Sequence, residues 1–192
     1  MNPLDKITGT IITGLVIAVV IAIGNTTASV NGIQSIVIWL HVSAGVAWIG
    51  LLYYFNFVQV PALKEATADG TGSGITKHVA PLALLWFRWA ALVTWIAGAG
   101  LLGSGFVDAF LLRPGYEAIG LGSWMGTIML FNVWGLIWPN QQKILGMKKA
   151  SDDEKVRARR VALLASRTNT ALSIPMLLLM TNGLSHRALL GL

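Results

Sequence analysis

Three ionisable side chains, His41, Arg88 and Arg167, stand inside long apolar stretches of this sequence. Such groups are costly in lipid and face a partner, a cofactor or a water-filled cavity. His41 is followed by Gly45 at i+4 and Trp48 at i+7, on one face of a helix. A glycine one turn from a histidine leaves space for a flat macrocycle against the backbone, and neutral imidazole is a good iron ligand. The pattern fits axial ligation of a b-type haem. It fits equally a histidine hydrogen-bonded to a neighbouring helix. If haem is bound, a second ligand is needed at similar depth, and His186 is the candidate, with His78 in reserve.

The two arginines suggest different chemistry. Arg88 lies within Trp86-Phe87-Arg88-Trp89 and Arg167 within Ser166-Arg167-Thr168-Asn169-Thr170. Both are predicted at comparable heights, with Asn56, Gln59, Asn132 and Asn140 at overlapping levels and no acidic residue in any span. Unpaired guanidinium groups in lipid call for a supplied anion, and Arg binds planar anions through two hydrogen bonds. Haem propionates, a small anionic substrate, or lipid phosphate would each serve. The alternative is that these arginines bond backbone carbonyls or extend to the membrane surface. His41 is predicted in the opposite half of the membrane from the arginines, so haem and anion sites are expected to be distinct.

Five helices must position these groups. Apolar residues make up 55% of the 192-residue chain and charged residues 11%, where soluble domains carry roughly a quarter charged. Stretches of about 20 apolar residues, enough to cross a bilayer, fall near 7–24, 33–61, 79–106, 121–138 and 161–183. Pro81 is expected in the first turn of the third span, and Pro139-Asn140 to close the fourth. The predicted fold is an all-α polytopic transmembrane bundle forming one domain.

Orientation follows from the cations. Lys6, Lys64, Lys77, Lys143, Lys148, Lys149, Lys155, Arg157, Arg159 and Arg160 fall on one side of such a bundle, Arg113 and Arg187 on the other. The positive-inside rule then puts the N-terminus in the cytoplasm and the C-terminus in the periplasm of a bacterial inner membrane. The net charge of +6 comes mostly from 143–160, a topology signal rather than a nucleic-acid surface. There is no Cys, which excludes disulfides, thiolate metal sites and covalently attached c-type haem.

Four stretches go beyond a generic membrane protein: 41–59, 85–89, 129–141 and 166–176, which hold His41, Arg88, Asn132, Asn140, Arg167 and Asn169. Together they resemble the membrane domain of the bacterial membrane-bound urate oxidase (urate hydroxylase) family, in which that domain precedes a cytochrome c. The resemblance implies an oxidoreductase that takes electrons from urate. Since no haem c motif is present, a separate cytochrome c or quinone is expected as acceptor. Two other readings remain open. One is a non-catalytic subunit of a larger respiratory or photosynthetic complex, and the other a small-anion transporter, which the absence of an internal repeat disfavours.

Overall fold

The computed structural model describes residues 2–25 and 30–181. They are mainly helical, with short turns between the helices and no strand among them. They fall into two compact units that divide between Ile36 and Val37.

The first unit opens with a short 3-10 turn, Pro3–Asp5, whose Leu4 amide donates to Asn2 Oδ1 at 2.9 Å. Helix α1, Ile7–Asn25, follows, and then the beginning of α2, Val30–Tyr53. The described apolar part of α1, Ile7–Ile21, is shorter than the other four apolar rods of the chain.

Those four are long and apolar enough to cross a membrane. In the first, α2 runs through a π-helical turn, Tyr54–Gln59, into α3, Val60–Ala68. In the second, a π-helical turn at Ile75–Val79 leads into α4, Ala80–Leu102, then a 3-10 turn and α5, Phe106–Phe110. The third joins α6, Glu117–Phe131, through a π-helical turn at Asn132–Ile137 to α7, Trp138–Ile144. The fourth is α8, Asp152–Thr181.

The rods extend past the predicted spans for identifiable reasons. Pro139 does not close the fourth span, and Pro61 does not end the second; both lie inside continuous rods. A proline cannot bond the carbonyl four residues back and its ring collides with it. For Pro61, Pro81 and Pro139 that carbonyl belongs to Phe57, Lys77 and Gly135, each inside one of the three π-helical turns. The widened turn, bonding i to i+5, moves the carbonyl aside and lets the helix continue. The charged stretch before the fifth span is likewise helix rather than loop from Asp152 onward. Ser151 Oγ accepts from the Glu154 amide at 3.2 Å, and Glu154 Oε2 accepts from the Ser151 amide at 2.8 Å, a capping box. Asp152, Asp153 and Glu154 place negative charge at the positive end of the helix dipole.

The core of the second unit forms where α2, α4, α6 and α8 meet. Trp48, Leu52, Phe87, Met129 and Val133 are fully buried there. On α8 the buried positions are Ala158, Ala162, Ala165, Asn169, Ser173 and Met176, a stripe spaced by three and four residues. Small residues on that stripe let backbones approach closely, the usual substitute for a hydrophobic driving force in lipid. The tightest approach is at Gly120, where a Cβ would lie 2.1 Å from the Ala109 carbonyl oxygen.

Candidate functional site

A cavity of about 770 Å³ opens among α2, α4, α5, α6 and α8 of the second unit. Its wall includes His41, Gly45 and Trp48, the three residues singled out by their spacing, together with Thr94 and Gly98 of α4. His41 Nδ1 lies 2.8 Å from the Thr94 carbonyl oxygen. A carbonyl only accepts, so Nδ1 is the donor, and the neutral imidazole in this tautomer carries its lone pair on Nε2. Nε2 has no hydrogen-bond partner among the described residues. In metal-ligating histidines, a bond from the other ring nitrogen to a carbonyl sets the tautomer and the ring orientation.

Glycines make room for this arrangement in two ways. At Gly98 a Cβ would come within 2.9 Å of His41 Cε1 and 3.1 Å of Nδ1, so only glycine admits the ring there. At Gly45 a Cβ would make ordinary contact at 3.7 Å with the Thr94 methyl, so this glycine widens the cavity rather than avoiding a clash. Phe106 and Phe110 of the α5 segment line the cavity too, their rings 4.6 Å apart, and Phe110 packs on Trp124. Among the described residues the lining carries no charged side chain. The volume lies within the range of about 300–1,000 Å³ usual for cofactor and small-molecule sites. His186, the expected second ligand, lies outside the described residues. His78 is in the π-helical turn before α4 and does not line the cavity.

The remaining candidates collect at a different level. Trp134 Nε1 donates to the Arg88 carbonyl oxygen at 3.2 Å, which sets Arg88 beside the π-helical turn holding Asn132. Asn132 Nδ2 donates to Asn169 Oδ1 at 2.8 Å, and Asn169 Nδ2 donates to the Met129 carbonyl oxygen at 3.0 Å. Asn56 Nδ2 donates to Ser166 Oγ at 2.8 Å and to the Leu52 carbonyl oxygen. Asn56, Arg88, Asn132 and Asn169 therefore sit near one height on four rods. Thr94 and Gly98 are six and ten residues from Arg88, which puts the His41 ring about 9–15 Å further along α4 at 1.5 Å per residue.

The two arginines are in different surroundings. Arg88 is half-buried, with Cζ 3.8 Å from the centre of the Trp138 ring, a cation–π contact. Arg167 is exposed, on a different face of α8 from buried Asn169. Neither arginine forms a salt bridge among the described residues. Asn140 Nδ2 bonds the Leu136 carbonyl oxygen of its own rod at 2.8 Å. Buried acceptors without partners remain at Asn56 Oδ1 and Gln59 Oε1, and a buried donor at Trp48 Nε1.

Reading by spacing overlooked Thr94, Gly98 and the α8 residues of the cavity, Met176 and Met180. Nothing in the sequence marks a backbone carbonyl such as that of Thr94 as the partner of His41.

No curated protein and no solved structure matches the chain. The family model described as Urate oxidase N-terminal matches residues 107–188, a stretch that contains Asn132, Asn140, Arg167, Asn169 and His186, whereas His41 and Arg88 precede it. The resemblance is thus borne out over α6, α7 and α8: this part of the chain is similar to the N-terminal, membrane domain of the urate oxidase family.

Proposed function

We propose that the chain is a haem b-binding redox protein of the bacterial inner membrane that passes electrons from urate, or a similar small planar anion, to a separate cytochrome c or quinone. One observation carries the proposal: His41, fixed by Thr94 with its Nε2 lone pair unpartnered, stands in the wall of a large apolar cavity. A haem held there would supply a one-electron carrier whose potential the axial ligands and the dry surroundings set. The chain's own residues have separate tasks. The Thr94 carbonyl keeps the proton on Nδ1 and so keeps Nε2 available for iron. Gly98 gives the ring its seat and Gly45 widens the space beside it. Phe106 and Phe110 close the lining with aromatic surface and exclude water.

The match to a urate oxidase family supports an anionic purine as the electron source. Arg88 is the better candidate to hold it, because it is a half-buried residue, where Arg167 is exposed, and has no acidic partner among the described residues. Its separation along α4 from the His41 ring favours a substrate anion over haem propionates as its partner.

The test is the visible spectrum of detergent-purified protein, oxidised and dithionite-reduced, with a pyridine haemochrome assay, followed by anaerobic urate. A b-type spectrum that urate reduces supports the whole reading. A haem that dithionite reduces and urate does not would restrict it to haem binding. Colourless protein from haem-sufficient cells would overturn it.

A further inference from the structure

We infer that the second axial bond to iron comes from the Met180 thioether on α8, so that the site pairs His41 with Met180. The inference rests on the haem reading above and specifies it. Among the described residues lining the cavity, few atoms besides His41 Nε2 can donate a lone pair to iron. The hydroxyls of Thr94, Ser123 and Thr181 donate to carbonyls of their own helices and, as neutral alcohols, are weak ligands for haem iron. The Tyr53 hydroxyl bonds Ser173 Oγ at 3.0 Å. The indole nitrogens of Trp48 and Trp95 carry protons and have no lone pair to give. Two thioethers remain, Met176 and Met180, one helical turn apart on the face of α8 that borders the cavity.

Their surroundings separate them. Met176 is 6% exposed and belongs to the packed core, its sulfur at ordinary contact distance from Gly126. Met180 is only partly buried and packs at the edge of that core, over Gly122. It is also further towards the His41 end of the bundle. The bonds from Tyr53 to Ser173 and from Asn56 to Ser166 show that α2 and α8 run antiparallel, so rising from Ser173 to Met180 on α8 follows α2 back from Tyr53 towards His41. Methionine is unbranched and adaptable, so its sulfur can reach an iron atom without moving the helix. A soft thioether favours ferrous over ferric iron, and His/Met ligation raises the reduction potential. The cavity would then hold a high-potential haem, suited to accept electrons from a weak reductant.

The experiment compares the full-length holoprotein with Met180→Leu, Met180→His, Met176→Leu and His186→Ala. It reads the thioether-to-iron charge-transfer band of the oxidised protein and the midpoint potential. The wild type should show the band. Met180→Leu should lose it and fall in potential while keeping haem on His41. Met180→His should be low-spin, without the band and lower in potential. Met176→Leu and His186→Ala should keep the band. A haem-loaded wild type without the band, or a Met180 variant that retains it, would overturn the inference while leaving the haem reading standing. A colourless wild type would remove both.

Discussion

The polar groups around Asn132–Asn169 and those around His41 are handled in opposite ways. Asn169 is 0% exposed, accepts from Asn132 and donates to the Met129 carbonyl, so the pair ties α6 to α8 with protein partners alone. His41 spends one ring nitrogen on Thr94 and leaves the other beside a cavity. Leu52 and Phe87 are fully buried in the apolar core of the same bundle. The contrast shows why residue type alone is a poor guide to a site in a membrane bundle. Intramembrane amides that satisfy each other fix helix register, whereas a polar atom left unpartnered next to space is where a ligand belongs.

Substitutions can break or sharpen that contrast. The largest effect on stability should come from Asn169→Leu, which strands the Asn132 side-chain amide and removes the side-chain bond to the Met129 carbonyl. Stranded buried groups cost about 1–3 kcal/mol. Reversible detergent unfolding should record a loss of that order, with haem per folded chain unchanged. Next is Gly98→Ala, whose methyl would press on the His41 ring. Overpacking of this kind costs about 1–3 kcal/mol, so haem affinity should fall by roughly tenfold or more in a haem titration while the Asn132–Asn169 tie is untouched.

Smaller effects separate the arginines. Arg88→Gln should leave haem content intact and raise the urate concentration needed for half-maximal reduction by roughly tenfold, the value of a charge-assisted hydrogen bond of about 1.5 kcal/mol. Unchanged urate dependence would make Arg88 a packing partner of Trp138 only. Arg167→Gln, at an exposed position, should shift stability by no more than about 0.5 kcal/mol and leave urate dependence unaltered. A defect as large as that of Arg88→Gln would place Arg167 in the anion site as well.

The sequence was informative where a single rod carries the signal. Hydropathy located the apolar rods, and the spacing of His41, Gly45 and Trp48 picked out three residues that do line one cavity. The shared height of Arg88 and the asparagines was also legible, because helix rise converts sequence position into depth. Rod ends were not. Pro61 and Pro139 read as stops, since a proline's effect depends on whether the preceding turn can widen. The fifth rod begins at the Ser151–Glu154 capping box, ahead of the apolar stretch by which hydropathy placed it. Relations between rods were out of reach: that His41 rests on Gly98, that Asn132 meets Asn169, and that Arg167 turns away from Asn169 depend on rotation of helices about their axes.

The most direct test is to measure haem per chain in purified wild type, His41→Ala and Asn169→Leu in parallel, with helical content by circular dichroism as the control for folding. The account predicts near-stoichiometric haem in wild type and in folded Asn169→Leu, and none in His41→Ala of unchanged helicity. Full haem in His41→Ala, or none in any of the three after haem-sufficient growth, would contradict it.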